Sequence, residues 1–202
     1  MTTLSLDHRF VEGDEDAPVL LLLHGTGSGP DDILALGREL SPSSPMLAPA
    51  GPVSENGAAR WFRRLAEGVF DTDDVVVRAG QLADFVLAAG EEYGFAGRRL
   101  VAAGFSNGAN IAAAVTLLRP DALKEAMLFA AMSPVPDPPT FDLSATRVFL
   151  SNGTRDPMAP AASSRNLVSM LRQRSADVTE DWHEGGHQIT RAGLVAAKSW
   201  LG

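Results

Sequence analysis

Apolar runs closed by turn residues alternate along the chain with segments of helical spacing. The runs predict strands at residues 19–23, 46–50, 100–103, 126–132, 147–150 and 178–182. Between and after them, apolar positions at helical spacing predict helices at residues 31–40, 73–93, 109–115, 160–174 and 188–201. Such alternation is typical of the α/β class, with a mostly parallel central sheet and helices on both faces.

Two segments depart from this rhythm. Residues 4–11 alternate between apolar and polar positions, which predicts an antiparallel strand at one edge of the sheet. Arg60, Arg63 and Arg64 flank two aromatic residues, and we expect a loop or short helix that covers the sheet and exposes the arginines. An anion site is the alternative for this cluster. We interpret Asp73 and Asp74 as caps of the following helix and not as a carboxylate dyad.

The sequence Gly-Phe-Ser-Asn-Gly at 104–108 lies between a predicted strand and a predicted helix. A sharp strand-to-helix turn of this kind, a nucleophile elbow, holds its central serine in a strained conformation, and glycines are needed where a Cβ would collide with backbone. Ser106 is therefore the candidate nucleophile. The pentapeptide alone is a weak signal, and its strand and helix neighbours strengthen it.

An acid and a histidine follow Ser106 in the chain order that this chemistry requires. Asp156 comes after the apolar run at 147–150, and His187 follows the predicted strand at 178–182. His187 would take the proton of the Ser106 hydroxyl, and Asp156 would fix the tautomer of the imidazole and stabilise its cation. Alone, each residue has an ordinary structural explanation, but the ordered set predicts a Ser-His-Asp triad.

A glycine-rich loop at 25–29 follows the apolar strand at 19–23. Such a loop can direct backbone N–H groups at a developing oxyanion. The best candidates for these donors are the backbone amides of Thr26 and of Asn107, the residue after the nucleophile. We interpret His24 as a structural residue that braces the loop.

Several strings together resemble the phospholipase/carboxylesterase family of small serine hydrolases, which are relatives of the acyl-protein thioesterases. The nearest resemblance is to carboxylesterases of the hydroquinone-resistance type. It covers nearly the whole chain, through Leu-Leu-His-Gly-Thr-Gly at 22–27, the string from Trp61 to Asp71, the segment at 104–110, Asn-Gly-Thr-Arg-Asp-Pro at 152–157 and Gly-Gly-His at 185–187.

The resemblance implies an α/β-hydrolase fold and hydrolysis of an ester or thioester by Ser106, Asp156 and His187. Thioesterase members usually carry Gln after the nucleophile, where this chain has Asn107, and this weakens the case for protein-linked acyl substrates. Larger hydrolases insert a cap domain near residues 133–145. Only a proline-rich connection is present there, so we expect no cap domain and a fairly open site.

Two further motifs suggest other chemistry. The string from His183 to His187 satisfies H-E-x-x-H, but a zinc site needs both histidines on one helix face, and two consecutive glycines disfavour that helix. The glycines at 25, 27 and 29 suggest a dinucleotide loop, but Pro30 stands where the fingerprint requires glycine. We therefore expect no metal and no organic cofactor.

Composition restricts the remaining possibilities. The chain has 202 residues, 45% of them hydrophobic, and no segment typical of a linker, which predicts a single domain over 1–202. It lacks cysteine, which excludes disulfides and thiol catalysis. A net charge of −8 argues against nucleic-acid binding. The first residues do not resemble a signal peptide and no run is long enough to span a membrane, so we expect a cytoplasmic protein.

We predict a carboxylesterase that acts on a small-molecule ester through an acyl-serine intermediate. Trp61, Phe62, Met132 and Met158 are candidates for an apolar pocket, with core packing as an equally weighted alternative. An acyl thioesterase or a lysophospholipase is the nearest alternative activity. A protein that binds a small apolar ligand without turnover is the alternative from another class. The sequence leaves the oligomeric state open, and a homodimer is one of the states that it allows.

Overall fold

The computed structural model describes residues 4–66 and 68–202. Residues 1–3, which belong to the N-terminal segment considered for a leader, lie outside the described residues, as does Glu67 of the string from Trp61 to Asp71. The strands in chain order are β1 (His8–Val11), β2 (Val19–Leu23), β3 (Met46–Pro49), β4 (Val53–Glu55), β5 (Ala58–Arg60), β6 (Arg64–Ala66), β7 (Val69–Phe70), β8 (Leu100–Phe105), β9 (Glu125–Phe129), β10 (Arg147–Gly153) and β11 (Asp177–His183).

A seven-stranded sheet in the order β1-β3-β2-β8-β9-β10-β11 forms the centre of the protein. Neighbouring strands are parallel except for β1, which pairs antiparallel with β3 at one edge, as the alternation at 4–11 predicts. Because the parallel strands are covered on both faces, β2 is buried along its whole length. The carboxyl ends of β2, β8, β10 and β11 lie at one edge of the sheet, where the candidate residues follow them.

The helices are α1 (Pro30–Leu40), α2 (Thr72–Glu92), α3 (Asn107–Leu118), α4 (Ala161–Gln173) and α5 (Arg191–Leu201). Two hydrophobic clusters separate them into two layers. Apolar residues of α2, α3 and α4 form one cluster with one face of the sheet, and those of α1 and α5 form the other. The mostly parallel α/β sandwich expected from the sequence, an α/β-hydrolase fold, is confirmed. Residues 131–146, which are all described, contain neither helix nor strand.

The segment with the arginine cluster forms two β-hairpins, and the prediction of a loop or short helix is wrong. β4 pairs with β5 and β6 pairs with β7, both antiparallel. The turn of the first hairpin is Asn56-Gly57, with φ of 51° and 85°, a dipeptide that strongly favours two-residue hairpin turns. Arg60 is buried in this arrangement, whereas Arg63 remains exposed.

Two other predictions, both of element bounds, need correction. The strand expected to reach residue 132 ends at Phe129, because Ala130 adopts φ 54° and turns the chain out of the sheet. The last helix begins at Arg191 and not at 188, since the Thr190 side chain caps it by accepting a hydrogen bond from the Gly193 amide. No helix among residues 4–66 and 68–202 is long and apolar enough to cross a membrane.

The N-cap of α2 is Asp71, and not Asp73 or Asp74. The Asp71 carboxylate accepts a hydrogen bond from the Asp74 amide, and the Arg63 guanidinium that donates to it lowers the pKa of Asp71. Asp74 is buried and accepts from the Arg63 amide and from Arg78. Asp71 and Asp74 therefore connect the second hairpin to α2 through Arg63.

The start of α3 approaches the end of β2 without space for a side chain. A Cβ at Gly108 would overlap the Leu23 carbonyl and lie 2.6 Å from the carbonyl oxygen of His24. A Cβ at Gly104 would lie 2.6 Å from the Gly108 carbonyl. Backbone atoms of two different elements make these contacts, so rotation of a side chain cannot relieve them.

We expect Gly108→Ala to reduce the free energy of unfolding by at least about 3 kcal/mol, at or beyond the upper end of typical overpacking costs, because β2 and α3 would have to separate. Gly80→Ala is the matched control. Gly80 lies inside α2 with no atom within 4 Å of an added Cβ, and there alanine should stabilise by about 0.5–1 kcal/mol. Urea unfolding of both variants tests this, and a Gly108→Ala variant as stable as the wild type would contradict it.

Candidate active site

Ser106 stands at the turn between β8 and α3. Its backbone has φ 54° and ψ −117°, a region that residues with a side chain rarely occupy. Two hydrogen bonds maintain this conformation, from the Ser106 amide to the Phe129 carbonyl at 2.9 Å and from the Asn110 amide to the Ser106 carbonyl at 2.9 Å. The predicted strand, turn and helix are therefore present, and the turn brings the Ser106 hydroxyl to the carboxyl edge of the sheet.

Ser106, His187 and Asp156 form a continuous hydrogen-bonded chain. The Ser106 hydroxyl lies 2.8 Å from His187 Nε2, and His187 Nδ1 lies 2.7 Å from Asp156 Oδ2. With Nδ1–H donating to the carboxylate, Nε2 is left as the acceptor of the hydroxyl proton. The ring of Phe105 packs beside the imidazole, with centroids 5.1 Å apart. The structure therefore brings together the three residues that the sequence predicted.

The Asp156 carboxylate is buried and accepts three hydrogen bonds. Oδ1 accepts from the Met158 and Ala159 amides at 2.8 and 3.0 Å, which leaves Oδ2 directed at His187. A buried carboxylate that accepts several hydrogen bonds keeps one orientation. The turn that begins at Asp156 therefore aligns the imidazole.

β10 and β11 end in register, with Gly153 opposite His183, and the loops after them carry Asp156 and His187. A Cβ at Gly153 would collide with the carbonyl oxygens of Gly185 and Gly186, so the two loops pack backbone against backbone. The acid and the histidine consequently start from the same level of the sheet.

His24 has the bracing role that the sequence suggests. The ring is fully buried, its Nδ1–H donates to the Gly25 carbonyl at 2.8 Å, and its Nε2 accepts from the Gly51 amide at 2.9 Å. Burial lowers the pKa of His24, because a charged ring would be desolvated. Protonation at Nε2 would also remove the acceptor for Gly51. His24 is therefore neutral and structural.

Thr26 and Asn107 lie beside Ser106 and line the same recess. Neither backbone amide donates a hydrogen bond to any of the described residues. For Asn107 this follows from its place in the first turn of α3, where amides have no partner within the helix. Both amides are therefore available to a bound group.

Two recesses meet at Ser106. One has a volume of about 300 Å³ and the other about 310 Å³, and Thr26, Ser106 and Met158 line both. Met132 lines the first recess, and His187 lines the second. The structure therefore places both predicted methionines at the site.

Trp61 and Phe62 do not line either recess, and the prediction that they form the pocket is wrong. Both are fully buried and belong to the main hydrophobic cluster. The Trp61 indole donates to the His24 carbonyl at 2.9 Å, and the Phe62 ring packs edge-on against Phe70. Their large apolar surfaces therefore contribute to the core. Core packing is the alternative that the sequence left open for both residues.

Four residues that were not predicted from the sequence also line the first recess: Arg60, Arg64, Phe70 and Asn110. Glu55 forms ion pairs with Arg60 at 3.3 Å and with Arg64 at 3.0 Å, and the hydrogen bond from Arg64 lowers the pKa of Glu55. The Asn56-Gly57 turn was the signal that could have located Arg60, because a hairpin there directs the strand end toward the loop after β2.

His183 does not share a helix with His187, because β11 ends at His183 and turns follow. The H-E-x-x-H string therefore lacks the helical geometry of a zinc site. His183 is partly buried. Its Nδ1 accepts from the Gly185 amide, and its Nε2 has no hydrogen-bond partner among the described residues. The described residues contain no cluster of three or more potential metal ligands.

Comparison with known proteins agrees with this geometry. Residues 8–202 match the Phospholipase/Carboxylesterase family. The chain belongs to this family. It is 41% identical to the protein MhqD of Bacillus subtilis (strain 168) over 195 residues, which cover 96% of this chain and 97% of MhqD. MhqD is of the hydroquinone-resistance type, as the sequence suggested.

Two solved structures show the same fold. The Bacillus cereus carboxylesterase superposes with a TM-score of 0.95 at 40% identity, covering 98% of this chain and 94% of that one. A carboxylesterase from Mesorhizobium loti superposes with a TM-score of 0.91 at 25% identity, covering 100% and 96% of the two chains. This member of the family is therefore a hydrolase with carboxylesterases as structural neighbours.

The neutral state of His24 makes stability depend on pH. The unfolded chain takes up a proton at His24 near pH ~6.5, whereas the folded chain resists it, so stability is complete above that pH and falls as the pH decreases. We expect this loss to approach ~1.4 kcal/mol per pH unit for one proton. His24→Gln, which keeps an acceptor for the Gly51 amide, should be less stable at pH 8 and should depend less on pH. Urea unfolding from pH 8 to 5 measures both, and equal slopes would contradict the expectation.

Proposed function

We propose that the protein is a carboxylesterase that cleaves small esters through an acyl-Ser106 intermediate. The hydrogen-bonded chain from Ser106 through His187 to Asp156, with separations of 2.8 and 2.7 Å, carries this proposal. Membership of the phospholipase/carboxylesterase family and the carboxylesterase neighbours support it.

In the first half of the reaction the Ser106 oxygen attacks the carbonyl carbon of the ester. His187 Nε2 accepts the hydroxyl proton, and the carbonyl oxygen becomes a tetrahedral oxyanion. Collapse of this intermediate breaks the bond to the alcohol oxygen, which leaves with the proton from His187. In the second half, water loses a proton to His187 and attacks the acyl carbon. The acid is released and the proton returns to Ser106.

Each part of the site has a role in this scheme. Asp156 Oδ2 accepts from the Nδ1–H of His187 and stabilises the imidazolium. Its Oδ1 accepts from two backbone amides, and these fix the orientation of the carboxylate. The Thr26 and Asn107 amides bind the oxyanion, because both residues line the recess at Ser106 and neither amide has another described partner. No step requires a metal or an organic cofactor.

The size of the site favours short substrates. Recess volumes of about 300 and 310 Å³ are at the small end of the range for ligand pockets. With Ser106 between them, one recess can receive the acyl group and the other the alcohol. Met132 and Met158 supply adaptable apolar contacts. This arrangement favours small oxygen esters over the long acyl chains of a lysophospholipase or of many acyl-thioesterase substrates.

A panel of p-nitrophenyl esters from acetyl to palmitoyl tests the proposal. We expect turnover that is highest for the short acyl groups, and Ser106→Ala should lose at least ~10³-fold in kcat because the nucleophile is absent. Ser169→Ala, in an exposed position on α4, is the matched control and should retain full activity. A phosphonate that labels Ser106 in the wild type would identify the nucleophile directly.

The contrary results separate the alternatives. Turnover that is highest for the palmitoyl ester would favour a lysophospholipase, and faster turnover of matched thioesters would favour an acyl thioesterase. Neither ester turnover nor phosphonate labelling by a folded protein would favour a protein that binds a ligand without turnover. Wild-type activity in Ser106→Ala would refute the acyl-serine mechanism.

A further inference from the structure

One short segment contacts both sides of the recess beside Ser106. Residues 59–61 include the end of β5 and the first residue after it. The Thr26 side lies on the loop after β2, and the Asn107 side lies at the start of α3. These two sides carry the amides to which the proposed function assigns the oxyanion.

The Thr26 side is held by two hydrogen bonds. Arg60 Nη1 donates to Thr26 Oγ1 at 3.1 Å, and the Gly27 amide donates to the Ala59 carbonyl at 2.9 Å. The Arg60 side chain is buried and is fixed further by Glu55 at 3.3 Å. Since a buried, ion-paired guanidinium has few alternative rotamers, it restrains the Thr26 side chain and with it the adjacent peptide.

The Asn107 side is held by the next residue of the same segment. The Trp61 amide donates to Asn107 Oδ1 at 2.8 Å, and both residues are buried. Asn107 Nδ2 is buried without a hydrogen-bond partner among the described residues, which costs about 1–3 kcal/mol. The Oδ1 contact is therefore the one hydrogen bond of this side chain among the described residues, and it connects the first turn of α3 to Trp61.

Trp61 also reaches back to the loop after β2. Its indole N–H donates to the His24 carbonyl at 2.9 Å, and its ring lies 5.2 Å from the His24 ring. The Arg60 carbonyl packs so closely on Gly51 that a Cβ there would lie 2.5 Å from the oxygen. Because Gly51 donates to His24, the segment has a fixed position relative to both sides.

We propose that residues 59–61 form a clamp that sets the distance between the Thr26 and Asn107 amides. In this role Arg60 and the side chains of Thr26 and Asn107 are positioning residues for the oxyanion hole. This inference rests on the proposed function, and it adds to the reacting residues a second set that positions the oxyanion hole. An oxyanion exists only in the transition state and the tetrahedral intermediate, so the clamp should affect kcat far more than KM.

Thr26→Val tests the clamp directly. It removes the oxygen that accepts from Arg60 and keeps the backbone amide and the β-branched shape. We expect kcat to fall about 10- to 100-fold with KM within about twofold, because a displacement of an ångström can cost that much. Binding of an alkylboronic acid, whose adduct with Ser106 carries the oxyanion charge, should weaken in proportion to kcat/KM. Thr26→Ser, which restores the oxygen, should recover most of the lost rate.

Thr116→Val is the matched control for the same chemical change. Thr116 is fully buried in α3 and its hydroxyl donates to the Ala112 carbonyl at 2.9 Å, away from the recess. It should leave kcat and boronate affinity unchanged. Thermal unfolding of every variant shows that the assays are made on folded protein.

Arg60→Met and its combination with Thr26→Val form a double-mutant cycle. Both changes remove the same hydrogen bond, so the double variant should lose no more kcat than the more damaging single variant. Asn107→Ala leaves the Trp61 amide without its acceptor. It should lower kcat with KM nearly unchanged and should weaken boronate binding in proportion to kcat/KM, as expected for Thr26→Val. Multiplicative losses from Arg60 and Thr26 would mean that the two residues act separately, which would overturn this half of the clamp.

The outcomes distinguish the clamp from the proposed function. Wild-type turnover and Ser106 labelling, together with full kcat in Thr26→Val, Arg60→Met and Asn107→Ala, would overturn the clamp and leave the esterase intact. A rise in KM at unchanged kcat would also overturn it, since that pattern belongs to substrate binding. A wild type without ester turnover and without labelling would refute both.

Discussion

The contact between the start of α3 and the end of β2 is the constraint on which the site depends. At Gly108 two backbones meet with no space for a side chain, and Gly104 meets the same turn from β8. Because these contacts join main chains, they fix α3 relative to the sheet more firmly than side-chain packing does. They also hold Ser106 at positive φ, at a cost of about 1–3 kcal/mol that the surrounding fold must offset. The loop after β2 and the first turn of α3 consequently lie on the two sides of one recess.

Buried polar side chains stabilise the chain at the edge where the strands end. Asn152 is fully buried, accepts from the Ala131 amide and donates to the Ala131 carbonyl and to Ser164. Asn110 accepts from the Met132 amide in the same way. These side-chain amides provide hydrogen-bond partners for the backbone after β9, because the chain leaves the sheet at Ala130 and no longer pairs with a strand. The polar interior at this edge therefore stabilises an irregular segment that borders the recess.

Much of the fold and of the candidate site could be predicted from the sequence because the signals were local. Gly-Phe-Ser-Asn-Gly between a strand and a helix identifies the elbow, and the turns after β10 and β11 identify the loops of Asp156 and His187. The positions of Trp61 and Phe62 could not be predicted, since an aromatic pair beside arginines suits a pocket and a core equally well. The burial of Arg60 could not be predicted, because a buried cation needs partners that only the fold brings to it, here Thr26 from the loop after β2 and Glu55 across the hairpin. The Asn56-Gly57 turn was a local signal, and it was overlooked.

The register of β10 and β11 has a consequence for protein engineering. Gly153 and His183 are paired, so both loops begin at one level of the sheet and the sheet sets their starting points. The number of residues from there to Asp156 and to His187 then determines whether carboxylate and imidazole meet. The glycines that allow the two loops to touch are needed as well. A designer who transplants this pair to another parallel sheet should therefore preserve the length of both loops together with these glycines.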